Sequence, residues 1–362
     1  MPEWRDTPSL PDRLRGALAC RLGRLPGHLL VRLSRRPPVR IDGQTLDPVL
    51  QLLLSMRPQG GPAPLTAGSP AEARRRFRRE GLSVRGRATP VGAVRDLMVA
   101  GGAGPIRARH YAPASSGGTA SAPPLLVYYH GGGFMLGDLD THDEVCRLLC
   151  RHGRQQVLSV EYRLAPEHPF PAAVEDAEAA FRWAQAHAAE LGADPERVAV
   201  GGDSAGANLA AVVAQRTTHT RPPAAQLLLY PPMDRVTVRR SHRLFDQGFF
   251  LSLADREAFS AHYFGATSAG EENPGTSPLL TADLSALAPA FVVTAGFDVL
   301  RDEGEAYARA LSEAGTSCVL HREVTLTHGF VQLTGVCPAA HRATVALARR
   351  WRSLLDAIPQ PS

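Results

Sequence analysis

Residues 198–209 read Val-Ala-Val-Gly-Gly-Asp-Ser-Ala-Gly-Ala-Asn-Leu, and this stretch decides the fold. An apolar strand runs into Gly-x-Ser-x-Gly and then directly into a helix of small residues, which is the context of a nucleophile elbow. The turn is so sharp that the positions two before and two after the serine must lack bulk, and Gly202 and Gly206 meet that demand. The pattern predicts that Ser204 stands above the edge of a sheet as a nucleophile.

Short apolar runs alternate with helical stretches on both sides of this turn. They predict strands near 94–100, 105–111, 124–130, 156–162, 197–201, 226–230, 290–296 and 317–325, and helices near 142–152, 171–190, 205–216, 303–314 and 339–356. The later strands are continuous and apolar, as expected where helices cover both faces of a sheet. The alternation predicts an α/β fold with a mostly parallel, eight-stranded sheet. Residues 231–285 do not follow it and are interpreted as an insertion.

A glycine run, His130-Gly-Gly-Gly-Phe134, follows the strand near 124–130. Glycines let backbone N–H groups approach a reacting carbonyl, and such groups stabilise an oxyanion well. The expected oxyanion hole consists of the N–H groups of Gly131, Gly132 and Ala205, the residue after the serine. His130 is interpreted as a histidine that holds this loop. The run does not predict a phosphate cradle, because no lysine accompanies it.

A serine nucleophile needs a base and an acid that orients the base. Asp298 follows the strand near 290–296, and His328 follows the last strand, so both lie on the same sheet edge as Ser204. The order Ser, Asp, His is typical of one large hydrolase fold. Asp302 and Glu303 are nearby rivals for the acid, but a helix starting at about Asp302 would turn them away.

The composition excludes several kinds of chemistry. The 362 residues contain 40 arginines and no lysine, which rules out a phosphate-loop lysine and a Schiff-base lysine. Five cysteines form no Cys-x-x-Cys spacing, so we expect neither a zinc site nor a disulfide framework, and a reducing cytoplasm is the default location. We expect no metal and no organic cofactor. The first residues do not resemble a secretory signal, and no apolar run is long enough to span a membrane.

Positive charge is concentrated near the start of the chain: residues 1–90 hold 17 arginines and 7 acidic residues. Residues 10–36 have a helical rhythm of leucines broken by Pro26, and the simplest interpretation is a surface helix with a solvated arginine face. Contact with an anionic membrane surface or a partner is the alternative. Nucleic acid is not expected, because no aromatic residues interleave the arginines. Ser69 and Glu72 predict a helix start, and the arginines at 74–79 are interpreted as its solvated face.

Five motifs in order resemble the hormone-sensitive-lipase family of bacterial esterases, in the branch with Asp before the nucleophile. They are His130-Gly-Gly-Gly-Phe134, Gly137-Asp-Leu-Asp-Thr-His-Asp143, Tyr162-Arg-Leu-Ala-Pro-Glu-His-Pro-Phe-Pro-Ala-Ala173, Gly202-Asp-Ser-Ala-Gly206, and the pair Asp298 and His328. The resemblance covers about residues 40–355. Three positions depart from the usual family residue, at Glu161, Ala207 and Val299, and none of them belongs to the expected triad.

The resemblance implies an α/β-hydrolase fold and hydrolysis of carboxylic esters with short to medium acyl chains, with Ser204, His328 and Asp298 as the catalytic triad. It also implies a helical cap, with residues 1–90 as an extension and first part of the cap, 231–285 as its second part, and 91–230 with 286–362 as the catalytic core. A small-molecule ester is the expected partner, and a homodimer through an edge strand is what the family suggests. The substrate pocket is expected to involve Phe134, Asp203, Phe249 and Phe250, although the last two could simply pack the cap.

Other functions remain open beside this one. An amidase or an acyltransferase would use the same triad, and a non-catalytic receptor is a different class, since plant gibberellin receptors share the motifs but lack the histidine. The presence of His328 counts against a receptor. The acidic cluster Asp138, Asp140, His142, Asp143 and Glu144 could be mistaken for metal ligands, but helix capping and first-turn acids account for it. Cys146 and Cys150 are expected to pack in the core.

Overall fold

The computed structural model describes residues 9–56, 64–114, 122–265, 270 and 272–358. In those residues the strands are β1 (Arg40–Ile41), β2 (Gln44–Thr45), β3 (Ala93–Gly101), β4 (Gly104–Ala112), β5 (Leu125–Tyr129), β6 (Gln156–Val160), β7 (Val198–Asp203), β8 (Gln226–Leu229), β9 (Ala290–Phe297) and β10 (Cys318–Thr327). The helices are α1 (Leu10–Leu22), α2 (Gly27–Leu33), α3 (Pro48–Ser55), α4 (Pro70–Val84), α5 (Asp143–Gly153), α6 (Ala172–His187), α7 (Ala205–Thr217), α8 (Arg240–Leu244), α9 (Leu253–Phe264), α10 (Arg301–Glu313) and α11 (Pro338–Ala357).

Eight of these strands form one sheet in the order β10-β9-β8-β7-β5-β6-β4-β3. The strands from β10 to β6 pair in parallel, whereas β4 is antiparallel to both β6 and β3. The predicted fold class, an α/β hydrolase fold with a mostly parallel eight-stranded sheet, is confirmed. Because the parallel strands run the same way, β7, β9 and β10 end at one edge of the sheet.

Apolar side chains alternate between the two faces of the central strands and build two cores. Leu126 and Tyr128 of β5 belong to the core that contains α5 and α11, and Leu125 and Val127 belong to the core that contains α6, α7 and α10. Continuous apolar runs were expected where both faces are covered, and all five residues of β5 are buried. Cys146 and Cys150 lie buried in the first core.

The N-terminal helices differ in part from the interpretation of the sequence. Pro26 is the N-cap residue of α2, so the helical pattern of leucines is interrupted between α1 and α2, where the sequence predicts a break. However, Leu10, Leu14 and Leu18 are 70%, 62% and 57% exposed. A surface helix ordinarily packs its apolar side chains against the core. α1 instead exposes these three leucines, so the prediction of a helix that exposes only an arginine face is incomplete. Within the described residues, no helix is both long and apolar enough to cross a bilayer.

The helix α4 begins as the sequence predicts. The Ser69 hydroxyl oxygen accepts from the Glu72 N–H, and the Glu72 carboxylate accepts from the N–H and the hydroxyl of Ser69. Ser69 and Glu72 thus form a capping box.

The arginine run of α4 is not simply solvated, and that expectation was wrong for Arg74 and Arg78. Both side chains are buried, and they lie one helical turn apart on the face that contacts the loops after β5 and β6. Arg74 pairs with Glu167, and the two terminal nitrogens of Arg78 lie 2.5 and 2.6 Å from Asp138 and Asp140. A buried charge requires such partners, which is why these two arginines differ from their neighbours.

Candidate active site

Ser204 stands at the turn between β7 and α7, with a backbone φ of 52° and ψ of −122°. A positive φ is rare for a residue with a side chain and marks a strained turn. A Cβ at Gly202 or Gly206 would collide with the Tyr129 carbonyl oxygen, so both positions require glycine. The local sequence therefore produces the elbow, and the tight packing of α7 against β5 keeps Ser204 raised at the sheet edge.

His328 lies between Ser204 and Asp298. Its Nε2 is 2.9 Å from Ser204 Oγ, and its Nδ1 is 2.9 Å from Asp298 Oδ2. Asp298 is buried, and its other oxygen accepts from the Leu300 N–H at 2.9 Å, so the carboxylate is held in place. The Tyr230 ring packs edge-on against the His328 ring, with centroids 4.7 Å apart. The structure thus brings together the three residues that the sequence singled out, although Ser204 and Asp298 lie 124 and 30 residues before His328 in the chain.

The two rival acids point elsewhere. α10 begins at Arg301, and Asp302 accepts from the Ser241 N–H at 2.8 Å. Glu303 accepts from the Met233 N–H at 3.0 Å. Neither carboxylate contacts His328 in the described structure, because the helix directs both toward the segment after β8.

The glycine loop corrects the expected oxyanion hole. The Gly131 N–H donates to Asp203 Oδ1 at 2.9 Å, so it is already used. Gly132 and Gly133, with φ of 122° and 61°, line the cavity at Ser204, and no described residue accepts from their N–H groups. The inclusion of Gly131 was therefore wrong, because its N–H is committed to Asp203, whereas Gly132 and Gly133 lie at the cavity.

Asp203, the residue before the nucleophile, holds this loop to β7. Besides the Gly131 N–H, its carboxylate accepts from the Tyr128 hydroxyl at 2.7 Å and lies 3.4 Å from His142 Nε2. Burial raises its pKa, but His142 and these hydrogen bonds outweigh burial and hold the pKa below its ordinary value. The residue borders the cavity, as expected, yet its carboxylate is committed to the protein.

His130 holds the loop from the other side. It is fully buried, its ring stacks on Tyr162 with centroids 4.4 Å apart, and its Nδ1 lies 2.9 Å from the Gly131 carbonyl oxygen. Burial and the neighbouring His142 lower its pKa to about 4, so its ring is neutral at pH 7. This agrees with the interpretation of His130 as a structural residue.

The space next to Ser204 has two compartments that meet at His328. The first, of about 80 Å³, touches Ser204, the glycine loop and Phe259 of α9. The second, of about 310 Å³, lies between α3, α4 and the loop before α9 and is largely apolar. Leu65, Phe77 and Leu251 line both. Ser204 therefore opens onto a narrow chamber that continues into a wider apolar one.

The expected pocket residues fall into different places. Phe134 borders the narrow chamber and stacks on Tyr263, whereas Phe250 borders the wide one. Phe249 borders neither; it packs against the rings of Phe245 and Phe297. Its assignment to the pocket was wrong, because at this point the loop turns through a left-handed Phe250, whose φ is 68°.

Two arginines of the narrow chamber were missed. Arg256 of α9 contacts His242, the Asp234 carbonyl oxygen and Glu303, and Arg235 donates to the Ser260 hydroxyl at 2.7 Å. Among 40 arginines no sequence signal marks these two, because their place depends on how the insertion folds over the sheet.

The acidic cluster before α5 serves partly as expected. Asp138 accepts from the N–H groups of Asp140 and Thr141, which is capping of the turn. Asp140 also pairs with Arg109, and Glu144 binds Thr89 instead of capping α5. The N-cap residue of α5 is His142, which makes no side-chain capping bond. The capping interpretation was therefore incomplete, because arginines and Thr89 take these carboxylates.

Comparison with known proteins adds the following similarities. Residues 126–332 match the family model described as alpha/beta hydrolase fold. The chain is 50% identical over 308 residues to the carboxylic ester hydrolase LipN of Mycobacterium tuberculosis, covering 83% of this chain and 81% of that protein. It is 35% identical over 300 residues to an ethyl acetate hydrolase of Pseudomonas putida, covering 82% and 94%.

Among solved structures, an esterase of Pyrobaculum calidifontis superimposes with a TM-score of 0.78 at 37% identity, covering 87% of this chain and all of that chain. An ester hydrolase from the metagenome of Lake Arreo gives a TM-score of 0.76 at 40% identity, covering 83% and 95%. The family match spans more than half of the chain, and each alignment covers most of the length of the relative as well. The chain therefore belongs to the alpha/beta-hydrolase fold family, and within it to the hormone-sensitive-lipase family of esterases.

Proposed function

We propose that this protein hydrolyses carboxylic esters with short to medium acyl chains through an acyl-enzyme on Ser204. The observation that carries the proposal is the position of His328, 2.9 Å from both Ser204 Oγ and Asp298 Oδ2. In that geometry Nε2 takes the serine proton during attack on the ester carbonyl, and Asp298 stabilises the imidazolium. His328 then protonates the leaving alcohol, and a water molecule repeats the cycle on the acyl-enzyme.

The oxyanion hole of the proposal consists of the N–H groups of Gly132, Gly133 and Ala205. Gly132 and Gly133 line the cavity, and their N–H groups have no acceptor among the described residues. The Ala205 N–H lies at the first position of α7, where a helix leaves it unbonded. Preorganised donors of this kind stabilise the tetrahedral intermediate more than the ground-state carbonyl. The two compartments, of about 80 and 310 Å³, would hold the two sides of the ester and limit the length of at least one.

The test is hydrolysis of p-nitrophenyl esters of increasing acyl length by the wild type and by Ser204→Ala. We expect activity on short and medium chains that falls at least about 10⁴-fold in the variant. Ser285→Ala, at an exposed serine far from the site, is the matched control and should leave the rate unchanged. Activity that survives in Ser204→Ala would overturn the triad, and activity on amides but not on esters would favour an amidase.

A cap built from two separate segments is part of the same proposal. Residues 1–90 and 231–285 supply Phe77 and Phe259, which face Ser204 across the narrow chamber. The two segments contact each other, because Asp255 accepts from the Leu65 N–H at 2.7 Å. We keep 91–230 with 286–362 as the catalytic core and the cytoplasm as the proposed location, on the odd number of cysteines.

Contact of residues 10–36 with an anionic membrane surface is a second proposal. The exposed leucines of α1 support it, since residues 9–40 also contain eight arginines and one acidic residue. Apolar side chains flanked by cations suit an anionic lipid surface. Replacement of Leu10, Leu14 and Leu18 by serine should abolish sedimentation with phosphatidylglycerol vesicles. Equal sedimentation of the wild type and this variant would contradict the proposal.

A homodimer through β10 is proposed on the exposure of its side chains. β10 is the edge strand of the sheet, and Val319, Leu320 and Val324 are exposed on it. Such an edge is a template for pairing with another strand. Light scattering should give twice the chain mass of 38.8 kDa for the wild type and the single mass for Val319→Asp. A monomeric wild type would overturn the proposal.

A further inference from the structure

A separate cavity of about 530 Å³ opens where the end of α1, the connection from α4 to β3 and the start of α11 meet. Four arginines and one histidine line it: Arg24, Arg85, Arg87, Arg342 and His341. None of its lining residues belongs to the chamber at Ser204. The backbone forms the cavity by close approach, since a Cβ at Gly23 would collide with the Val336 carbonyl oxygen and one at Gly86 would crowd Gly335.

The guanidinium groups of the four arginines in this cavity make no ion pair or hydrogen bond with any residue that the structure describes. Arg74 and Arg78, in the same N-terminal quarter of the chain, are by contrast fully paired. Like charges around one cavity repel each other, and an anion between them would remove that repulsion. The arrangement therefore favours a ligand with more than one negative charge.

The acidic residue in the lining, Glu144, makes no ion pair with the four arginines within the described residues. Its two oxygens accept from the hydroxyl and the N–H of Thr89, at 2.6 and 2.8 Å. Burial raises the pKa of this carboxyl group, and one carboxylate against four guanidinium groups leaves the lining with a net positive charge.

Thr334 supplies an independent sign of a ligand. It lines the cavity, it is 7% exposed, and its hydroxyl has no hydrogen-bond partner among the described residues. Buried hydroxyl groups are nearly always hydrogen-bonded, since leaving one unsatisfied is unfavourable. The hydroxyl oxygen is enclosed in this rotamer. A rotation of the Thr334 side chain about χ1 would turn it into the cavity, where a ligand oxygen would accept from it.

We propose that this cavity binds a phosphate-bearing ligand. A guanidinium group binds phosphate with two parallel N–H···O hydrogen bonds, and a hydroxyl donor such as that of Thr334 adds a further hydrogen bond to a phosphate oxygen. The cavity is larger than a phosphate group, so it has room for the organic part of the ligand. This function is additional to ester hydrolysis and does not depend on it.

The test is calorimetric titration of the wild type with pyrophosphate at low ionic strength. We expect binding, and at least about tenfold weaker binding by the double variant Arg85→Gln/Arg87→Gln. The charge-matched control Arg243→Gln/Arg309→Gln removes two exposed arginines elsewhere and should bind as the wild type does. Hydrolysis of p-nitrophenyl esters should be the same in all three proteins, which separates this proposal from the proposed activity.

Thr334→Val distinguishes a ligand contact from a structural role. The substitution removes the unsatisfied hydroxyl, so the unliganded protein should melt at the same or a higher temperature, while pyrophosphate binds about three- to tenfold more weakly. No binding by the wild type at millimolar pyrophosphate would overturn the proposal. Equal weakening in the Arg243/Arg309 control would also overturn it, because binding would then follow net charge alone.

A second arm identifies the source of the phosphate. The vesicle experiment uses the Leu10→Ser/Leu14→Ser/Leu18→Ser background, which removes the contact proposed for α1. If the ligand is a lipid headgroup, this background should sediment with vesicles containing phosphatidic acid, and the same background with Arg85→Gln/Arg87→Gln should not. If it is a soluble phosphate compound, pyrophosphate should bind while these two proteins sediment equally. Either result supports the site, and failure in both arms contradicts it.

Discussion

The two sides of the chamber at Ser204 are built in different ways. On the sheet side, Ser204, Asp298 and His328 each follow a strand directly, so their positions depend on short turns. On the cap side, α4 and α9 are held by contacts between residues far apart in the chain, 60 residues for Arg78 with Asp138 and 190 for Asp255 with Leu65. The comparison suggests that the sheet sets the chemistry, whereas buried polar contacts set the position of the cap.

The strongest test of the sheet side is Asp298→Asn. The amide favours the wrong tautomer of His328, so kcat should fall about 10³- to 10⁴-fold with little change in the unfolding temperature. The measurement is steady-state hydrolysis of a p-nitrophenyl ester beside a thermal melt. Asp302→Asn is the matched control, because the Asp302 carboxylate accepts from the Ser241 N–H and does not contact His328. Its kcat should stay within a few-fold of the wild-type value. A loss below tenfold in Asp298→Asn would mean that the carboxylate is not needed.

The cap side should respond in stability. Arg78→Met leaves the buried carboxylate of Asp138 without its cation, and we expect a loss of about 3–5 kcal/mol in the free energy of unfolding. Urea unfolding gives the value. Arg79→Met, at the next position, removes only an exposed arginine 3.9 Å from Asp12 and should cost less than about 1 kcal/mol. Equal losses in both variants would remove the distinction between the two faces of α4.

The ion pair between Arg78 and Asp140 should make the stability of the protein depend on pH. Burial opposes ionisation, but hydrogen bonds from Arg78 and Arg109 outweigh it and lower the pKa from 3.8 to about 2. The unfolded chain therefore binds more protons between pH 4 and pH 2, so stability is present above pH 4 and declines as the pH falls toward 2. Asp140→Asn should flatten this decline by about 1–2 kcal/mol, measured by urea unfolding from pH 6 to pH 3. An unchanged profile would show that the pair with Arg78 does not persist in solution.

The smallest expected effect concerns the start of α4. Ser69→Ala removes the hydroxyl that accepts from the Glu72 N–H, and we expect a loss of about 1 kcal/mol in the free energy of unfolding. Ser83→Ala, at the other end of the helix, removes only a bond to the Glu80 carbonyl and is the control. If both variants lose the same amount, the capping box does not stabilise the attachment of the cap.

The sheet and the meeting of Ser204, Asp298 and His328 were predictable because their signals are local. The elbow shows itself in Gly202 and Gly206, and the parallel strands place Asp298 and His328 by their ends alone. The glycine loop was predictable only in outline, since the direction of each N–H depends on backbone angles that a run of three glycines leaves open. That is why Gly131 was included and Gly133 was not.

The cap could not be predicted at the same level. Five arginines follow Ser69 on α4, and no rule of spacing tells that Arg74 and Arg78 would find buried carboxylates while Arg75 would not. Phe249 and Phe250 are adjacent and chemically identical, yet a left-handed turn sends them to different surroundings. These outcomes depend on partners distant in sequence, which one chain read alone does not reveal.

The order of the strands along the chain has a consequence for synthesis of the protein. β7 and its two neighbours β5 and β8 are synthesised before β9 and β10, so the elbow around Ser204 is able to form while β10 is still missing. In the proposed mechanism, a nascent chain that stops before His328 would carry a nucleophile without its base and would be silent toward esters. Activity would begin only when the last edge strand has docked, so the first appearance of hydrolysis during translation would time the completion of the sheet.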